Sequence, residues 1–111
     1  MVNDVFNELY ERTVRAYLDV LIMQELKNNS PKSTNELMEA INSKYSSNIS
    51  RGILFASLIS MEKNGLLNEV SVNQKAIYEL SAEGAQRVAF LADFALQLKD
   101  FLNRICKATV T

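Results

Sequence analysis

The stretch that decides the fold reads Ser50-Arg51-Gly52-Ile53-Leu54-Phe55-Ala56-Ser57-Leu58-Ile59-Ser60-Met61-Glu62-Lys63-Asn64-Gly65. The Ser50 hydroxyl can accept one of the free N–H groups at a helix start, and Gly65 tolerates the left-handed backbone that ends one. Between them Leu54, Leu58 and Met61 recur at helical spacing. Immediately afterwards the period changes. Residues 67–72 and 76–80 are rich in strand formers and flank polar Asn73-Gln74-Lys75, which predicts a short β-hairpin.

Working upstream, Ser33-Thr34-Asn35-Glu36 has the pattern of a capping box, in which serine and glutamate each satisfy a backbone N–H of the other. Leu37, Ala40 and Ile41 supply the buried face of the helix it opens, and Tyr45-Ser46-Ser47-Asn48 is a polar turn. Two short helices joined by such a turn predict a helix-turn-helix, with residues 50–64 as recognition helix and the hairpin as wing. Further upstream, residues 3–27 are helical, capped by Asn3 or Asp4, as one helix or two. Val5, Leu9, Ala16, Val20 and Met23 give the apolar stripe, widened by Phe6, Tyr17 and Leu21, and Asn28-Asn29-Ser30-Pro31 ends it.

Downstream, Ser81 caps a last helix over residues 82–107. Its Val88, Leu91, Ala95, Leu98, Leu102 and Ile105 alternate in steps of three and four, the spacing of a coiled-coil seam, with Phe90, Phe94 and Phe101 beside it. Roughly 26 residues of helix span about 39 Å, and a small domain has little else to cover them. The seam is therefore read as a homodimer interface of Leu91, Phe94, Leu98, Phe101, Leu102 and Ile105, joined by Val5, Phe6 and Leu9 of the first helix. The predicted fold class is mainly α with a small β-hairpin: one winged helix-turn-helix domain over residues 1–111. Its parts are an N-terminal helix (1–30), the helix-turn-helix and wing (31–80) and a long C-terminal dimerisation helix (81–111).

Composition narrows the function. The 111 residues include no histidine and a single cysteine, Cys106, so neither a Cys/His zinc site nor a disulfide framework is available. Cys106 reads as a small hydrophobe, since no histidine exists to activate it. There is no carboxylate pair and no glycine-rich phosphate loop, so the expectation is a non-enzyme without metal or cofactor. No apolar run has the length of a membrane span, and the N-terminus lacks a basic signal region; the expected location is the cytoplasm. The net charge of −1 is not the strong basic excess of many nucleic-acid binders, although residues 31–75 are slightly basic.

Two blocks of this sequence resemble a known family. Residues 50–58, Ser-Arg-Gly-Ile-Leu-Phe-Ala-Ser-Leu, followed by Met61-Glu62-Lys63-Asn64-Gly65-Leu66-Leu67, are similar to the recognition-helix block of PadR-like winged-helix regulators. Ile77-Tyr78-Glu79-Leu80-Ser81-Ala82-Glu83-Gly84 resembles that family's junction between wing and last helix. The resemblance covers roughly residues 18–91. Arg51 stands where the family has proline, and Ile53 where it has threonine. The resemblance implies a homodimer bound to a roughly palindromic double-stranded DNA site, often as a repressor of transcription. Relatives of this fold also serve as centromere-binding proteins in plasmid segregation; the rival reading from another class is a protein-interaction winged helix whose apolar third-helix face binds a partner instead of DNA.

The candidate DNA-binding residues are Lys32, Lys44, Ser50, Arg51, Gly52, Phe55, Lys63, Gln74 and Lys75. Ser50, Arg51 and Gly52 begin the recognition helix, where such helices reach base edges. The lysines are candidate phosphate contacts, with Lys75 and Gln74 at the wing tip. Phe55 and Ile59 make the outer face of the helix apolar, either to meet thymine methyl groups or to pack on the wing or a protein partner. No residue names a small-molecule effector.

Overall fold

The computed structural model describes residues 2–28 and 31–110. Its elements run α1 (Val2–Ala16), α2 (Leu18–Asn28), α3 (Thr34–Tyr45), α4 (Arg51–Lys63), β1 (Leu67–Val72), β2 (Lys75–Leu80), α5 (Ala82–Ala89) and α6 (Leu91–Val110). This is the mainly helical architecture with a single antiparallel hairpin that the sequence predicts. Asn29 and Ser30 of the predicted turn lie outside the described residues. The cap foreseen at Asn3 or Asp4 is not the helix start, because α1 begins at Val2 and Asp4 falls in its first turn.

The N-terminal stretch is two helices. Thr13 Oγ1 donates to the Leu9 carbonyl at 2.8 Å just before the break, a back-bond that bends helices. Backbone bonds from Tyr17 N–H to Thr13 and from Leu21 N–H to Tyr17 continue across it. The result is a bend, not a loop. α2 lies at the centre of the fold, packed on α3, α4, α5 and β2. Its Leu18, Ile22, Met23 and Leu26 form one core with Leu37 and Ile41 of α3, Leu54, Leu58 and Met61 of α4, Tyr78 of β2 and Val88 of α5.

The single last helix expected over residues 82–107 is instead two, separated at Phe90. Phe90 has φ −94° and ψ 2°, and its N–H turns back to the Arg87 carbonyl, which closes α5. Val88, assigned from sequence to the seam, is a core residue. On one side of the break α5 packs along α2; on the other, α6 keeps Leu91 against the core while most of its length is exposed. Tyr17, at the bend between α1 and α2, meets Phe94 with ring centroids 6.0 Å apart, so the two bends lie side by side.

The capping box of α3 forms as read. Ser33 Oγ accepts the Glu36 N–H at 3.2 Å, and Glu36 Oε1 accepts the Ser33 N–H at 2.9 Å. The Ser33 backbone N–H, then its hydroxyl, hold the Glu36 carboxyl below the usual carboxylate range. A lowered folded pKa stabilises above the unfolded value and is lost as pH falls through the folded one. Ser33→Ala is therefore expected to cost about 1 kcal/mol at neutral pH, with the gap to the parent chain narrowing in acid; urea unfolding at neutral and acidic pH measures both.

Beyond α3 the turn is organised by a residue the sequence did not single out. Asn42 Oδ1 accepts the Ile49 N–H at 2.8 Å and the Ser47 hydroxyl at 2.9 Å, while its Nδ2 donates to the Ile49 carbonyl at 3.0 Å. With Ser46 in the left-handed region at φ 50°, this fixes how α4 leaves α3. In the hairpin, Leu67 pairs with Leu80 and Val72 with Lys75. Lys75 is thus the first residue of β2 and not part of the turn, which is Asn73-Gln74 alone. Both turn residues have positive φ, 52° and 63°, as a two-residue turn matched to strand twist requires.

Candidate nucleic-acid interface

α4 owes its placement to its two ends. Ser50 Oγ accepts the Ile53 N–H at 3.2 Å and starts the helix. At the other end Gly65 takes φ 79°, and the Leu66 N–H returns to the Met61 carbonyl at 2.9 Å. Leu54, Leu58 and Met61 turn inward, which leaves Arg51, Gly52, Phe55, Ala56, Ile59 and Lys63 exposed on the outside.

The electrostatics of this helix differ from those of the others. Asp4, Asp19, Glu36, Glu83 and Asp93 place an acid in the first turn of α1, α2, α3, α5 and α6. α4 has none there, and its first residue is Arg51. The positive end of its dipole is left without an acid of its own and is reinforced by a guanidinium.

The predicted DNA-binding residues do not form one cluster. Arg51, Gly52 and Phe55 line a common depression at the start of α4. A Cβ added at Gly52 meets nothing within 4 Å, so no packing inside the chain explains that glycine. Lys63 is exposed at the far end of the helix, and Gln74 and Lys75 are exposed at the wing tip. Lys32 is half-buried, and its backbone pairs on both sides with Tyr78, N–H to carbonyl at 3.1 Å and carbonyl to N–H at 2.8 Å. It extends the wing as a third strand position. Lys44 reaches Glu25 Oε1 at 3.5 Å and neutralises a carboxylate that is itself buried. That ion pair accounts for Lys44 without a nucleic acid.

The two outer helices are unlike the core helices. Val5, Phe6, Leu9, Phe94, Phe101, Leu102 and Ile105 are exposed, as are Phe90 and Leu96, which the sequence reading did not assign to an interface. Leu91 and Leu98 are half-buried against α2. The chain exposes 7840 Å², whereas a compact monomer of its size exposes about 6,200 Å². Its radius of gyration is 15.8 Å against about 13 Å for a compact domain of this length. The difference in area, roughly 1,600 Å² on one chain, is about twice the roughly 800 Å² that each partner buries in a standard protein interface.

No family model and no curated protein matches the sequence. Solved structures do match. A PadR family transcriptional regulator from Eggerthella lenta aligns with a TM-score of 0.76 over 95% of this chain and 95% of its own, at 17% identity. A transcriptional regulator from Clostridium thermocellum aligns with a TM-score of 0.75 over 84% of this chain and 93% of its own, at 20% identity. The fold is the winged helix of PadR-family regulators. F93 from STIV, a winged-helix DNA-binding protein, aligns with a TM-score of 0.62 over 70% of this chain and 87% of its own, at 21% identity. This winged helix has no helix long and apolar enough to cross a membrane, and no cluster of metal-binding side chains, among its described residues.

Proposed function

We propose that this chain is a homodimeric, sequence-specific DNA-binding regulator of transcription, repressor in type, acting in the cytoplasm without catalysis or cofactor. The observation that carries the reading is α4. The second helix of the helix-turn-helix faces outward, has no acid in its first turn and begins with Arg51. Among the described residues Arg51 forms no ion pair. In this reading α4 enters the major groove with Ser50, Arg51, Gly52 and Phe55 nearest the bases. Gln74 and Lys75 meet the flanking backbone from the wing, and Lys63 and Lys32 are lesser phosphate contacts. Lys44 contributes only if it leaves Glu25.

Dimerisation through α1 and α6 accounts for the exposed apolar residues there and sets two copies of α4 about 34 Å apart, one DNA turn. Plasmid segregation by centromere binding uses the same DNA contacts and is separated from regulation by the location of the selected sites.

The test is selection of bound sequences from random duplex DNA at two salt concentrations. With few basic residues the salt dependence is shallow, at about 0.9 per neutralised phosphate. Arg51→Ala is expected to cost about 1–3 kcal/mol per half-site and to relax preference at one base pair. Lys75→Ala is expected to weaken all sequences alike and to flatten the salt slope. A dimer that binds no duplex at low salt would overturn the reading and leave a protein-docking winged helix in its place.

A further inference from the structure

The outer face of α4 is short of hydrogen-bonding groups. Past Arg51, the side chains in its middle two turns are Phe55, Ala56 and Ile59, and Phe55 and Ile59 remain 47% and 36% exposed. Ser57 is turned aside, with its hydroxyl on Met61 Sδ at 3.8 Å. Ser60, and Lys63 at the helix end, are the polar side chains left on the exposed part of the helix beyond Arg51. A helix placed in the major groove with this surface can form a bidentate contact only through Arg51. Over the next two turns it offers carbon. In the major groove the one apolar group on a base edge is the 5-methyl of thymine.

We propose that α4 reads its DNA mainly through thymine methyl groups, packed against Phe55, Ala56 and Ile59, with Arg51 fixing a single guanine beside them. The inference rests on the DNA-binding reading above and adds the substrate class: half-sites rich in T·A pairs next to one G·C pair. Three features support a nucleic acid here over a protein. The apolar side chains lie on the outward helix of a helix-turn-helix. Arg51 and Gly52 share a depression with Phe55, so cation and ring face the same occupant. The helix start carries no acid to repel phosphate.

Deoxyuridine tests this, because it removes the methyl and keeps every hydrogen bond of the base pair. A duplex obtained by selection with the unaltered dimer is compared with the same duplex carrying deoxyuridine for thymine in both half-sites. Burial of one methyl is worth about fourfold in affinity, so one contacted methyl in each half-site predicts about 15-fold weaker binding. The parallel measurement uses Phe55→Ala and Ile59→Ala, exposed positions whose loss opens no cavity in the core. In these variants the thymine-to-deoxyuridine ratio is expected to fall toward one, since partner and methyl form a pair whose coupling a double-mutant cycle isolates. Selected duplexes that bind equally well with thymine or deoxyuridine overturn this inference and leave the DNA-binding reading standing. Failure to select any duplex overturns both.

Discussion

Gly84→Ala is expected to destabilise the protein by about 3 kcal/mol, where a glycine-to-alanine change within a helix ordinarily stabilises by about 1 kcal/mol. The sign is reversed by one contact. A Cβ at Gly84 lies 2.2 Å from the Leu66 carbonyl oxygen and 3.1 Å from Leu80 Cδ2. The oxygen belongs to backbone and has nowhere to go, because it already accepts the Ser81 N–H at 3.0 Å. Ser81 in turn donates its hydroxyl to the Gly65 carbonyl and accepts the Gly84 N–H at 3.0 Å. The end of α4 and the start of α5 are thus joined backbone to backbone, with the wing emerging between them. Gly52→Ala is the matching control, with open space at its Cβ and an expected gain of about 0.5–1 kcal/mol. Thermal unfolding of both variants at one protein concentration checks the pair, and the Gly84 variant should melt more than about 10 °C lower. Equal melting temperatures would mean that the junction yields.

That junction shows what was readable in the chain and what was not. Ser33, Ser50 and Ser81 each cap the helix that follows them, because a hydroxyl before an apolar-periodic run is a local signal that tertiary structure has no reason to override. The hairpin was equally plain, although its turn is one residue shorter than the polar run, since Lys75 completes the ladder opposite Val72. The division of the last helix was hidden. Ala89-Phe90-Leu91 contains no glycine or proline, and the seam runs through it without a stutter. The break falls where the chain passes from α5, packed along α2, to the largely exposed α6. The site was legible to the same degree. Arg51 and Phe55 lie where their positions in α4 put them, but Lys44 was indistinguishable in sequence from a phosphate contact. Its partner Glu25 is 19 residues away and on another helix. Asn42 looked like any polar helix residue, and only the fold brings Ile49 and Ser47 within its reach.

Leu102→Glu is expected to convert a dimer into a folded monomer and to lower affinity for a two-half-site duplex by about 10²–10⁴-fold, the advantage that linking two binding modules provides. Leu102 is 48% exposed on α6, between Phe101 and Ile105 along the same stripe, and makes no part of the core. A glutamate there leaves the monomer's interior untouched but must be desolvated, unpaired, if the stripe is covered by a second copy, at a cost of several kcal/mol. Helix geometry supplies the control. Asp100 and Arg104 form an exposed ion pair of 2.9 Å on the opposite side of α6 from Leu98 and Leu102. Arg104→Glu, two charges more negative than its parent where Leu102→Glu is one, should nonetheless leave assembly intact. Sedimentation of the three proteins at micromolar concentration, with far-UV circular dichroism to show retained helix, separates the cases. If the parent chain sediments as a monomer, or if Leu102→Glu and Arg104→Glu behave alike, α6 is not the interface. DNA recognition by α4 would then have to rest on a single half-site. With one guanidinium and a few apolar side chains per half-site, that surface is too small for tight binding, and so the dimer and the site stand together in this reading.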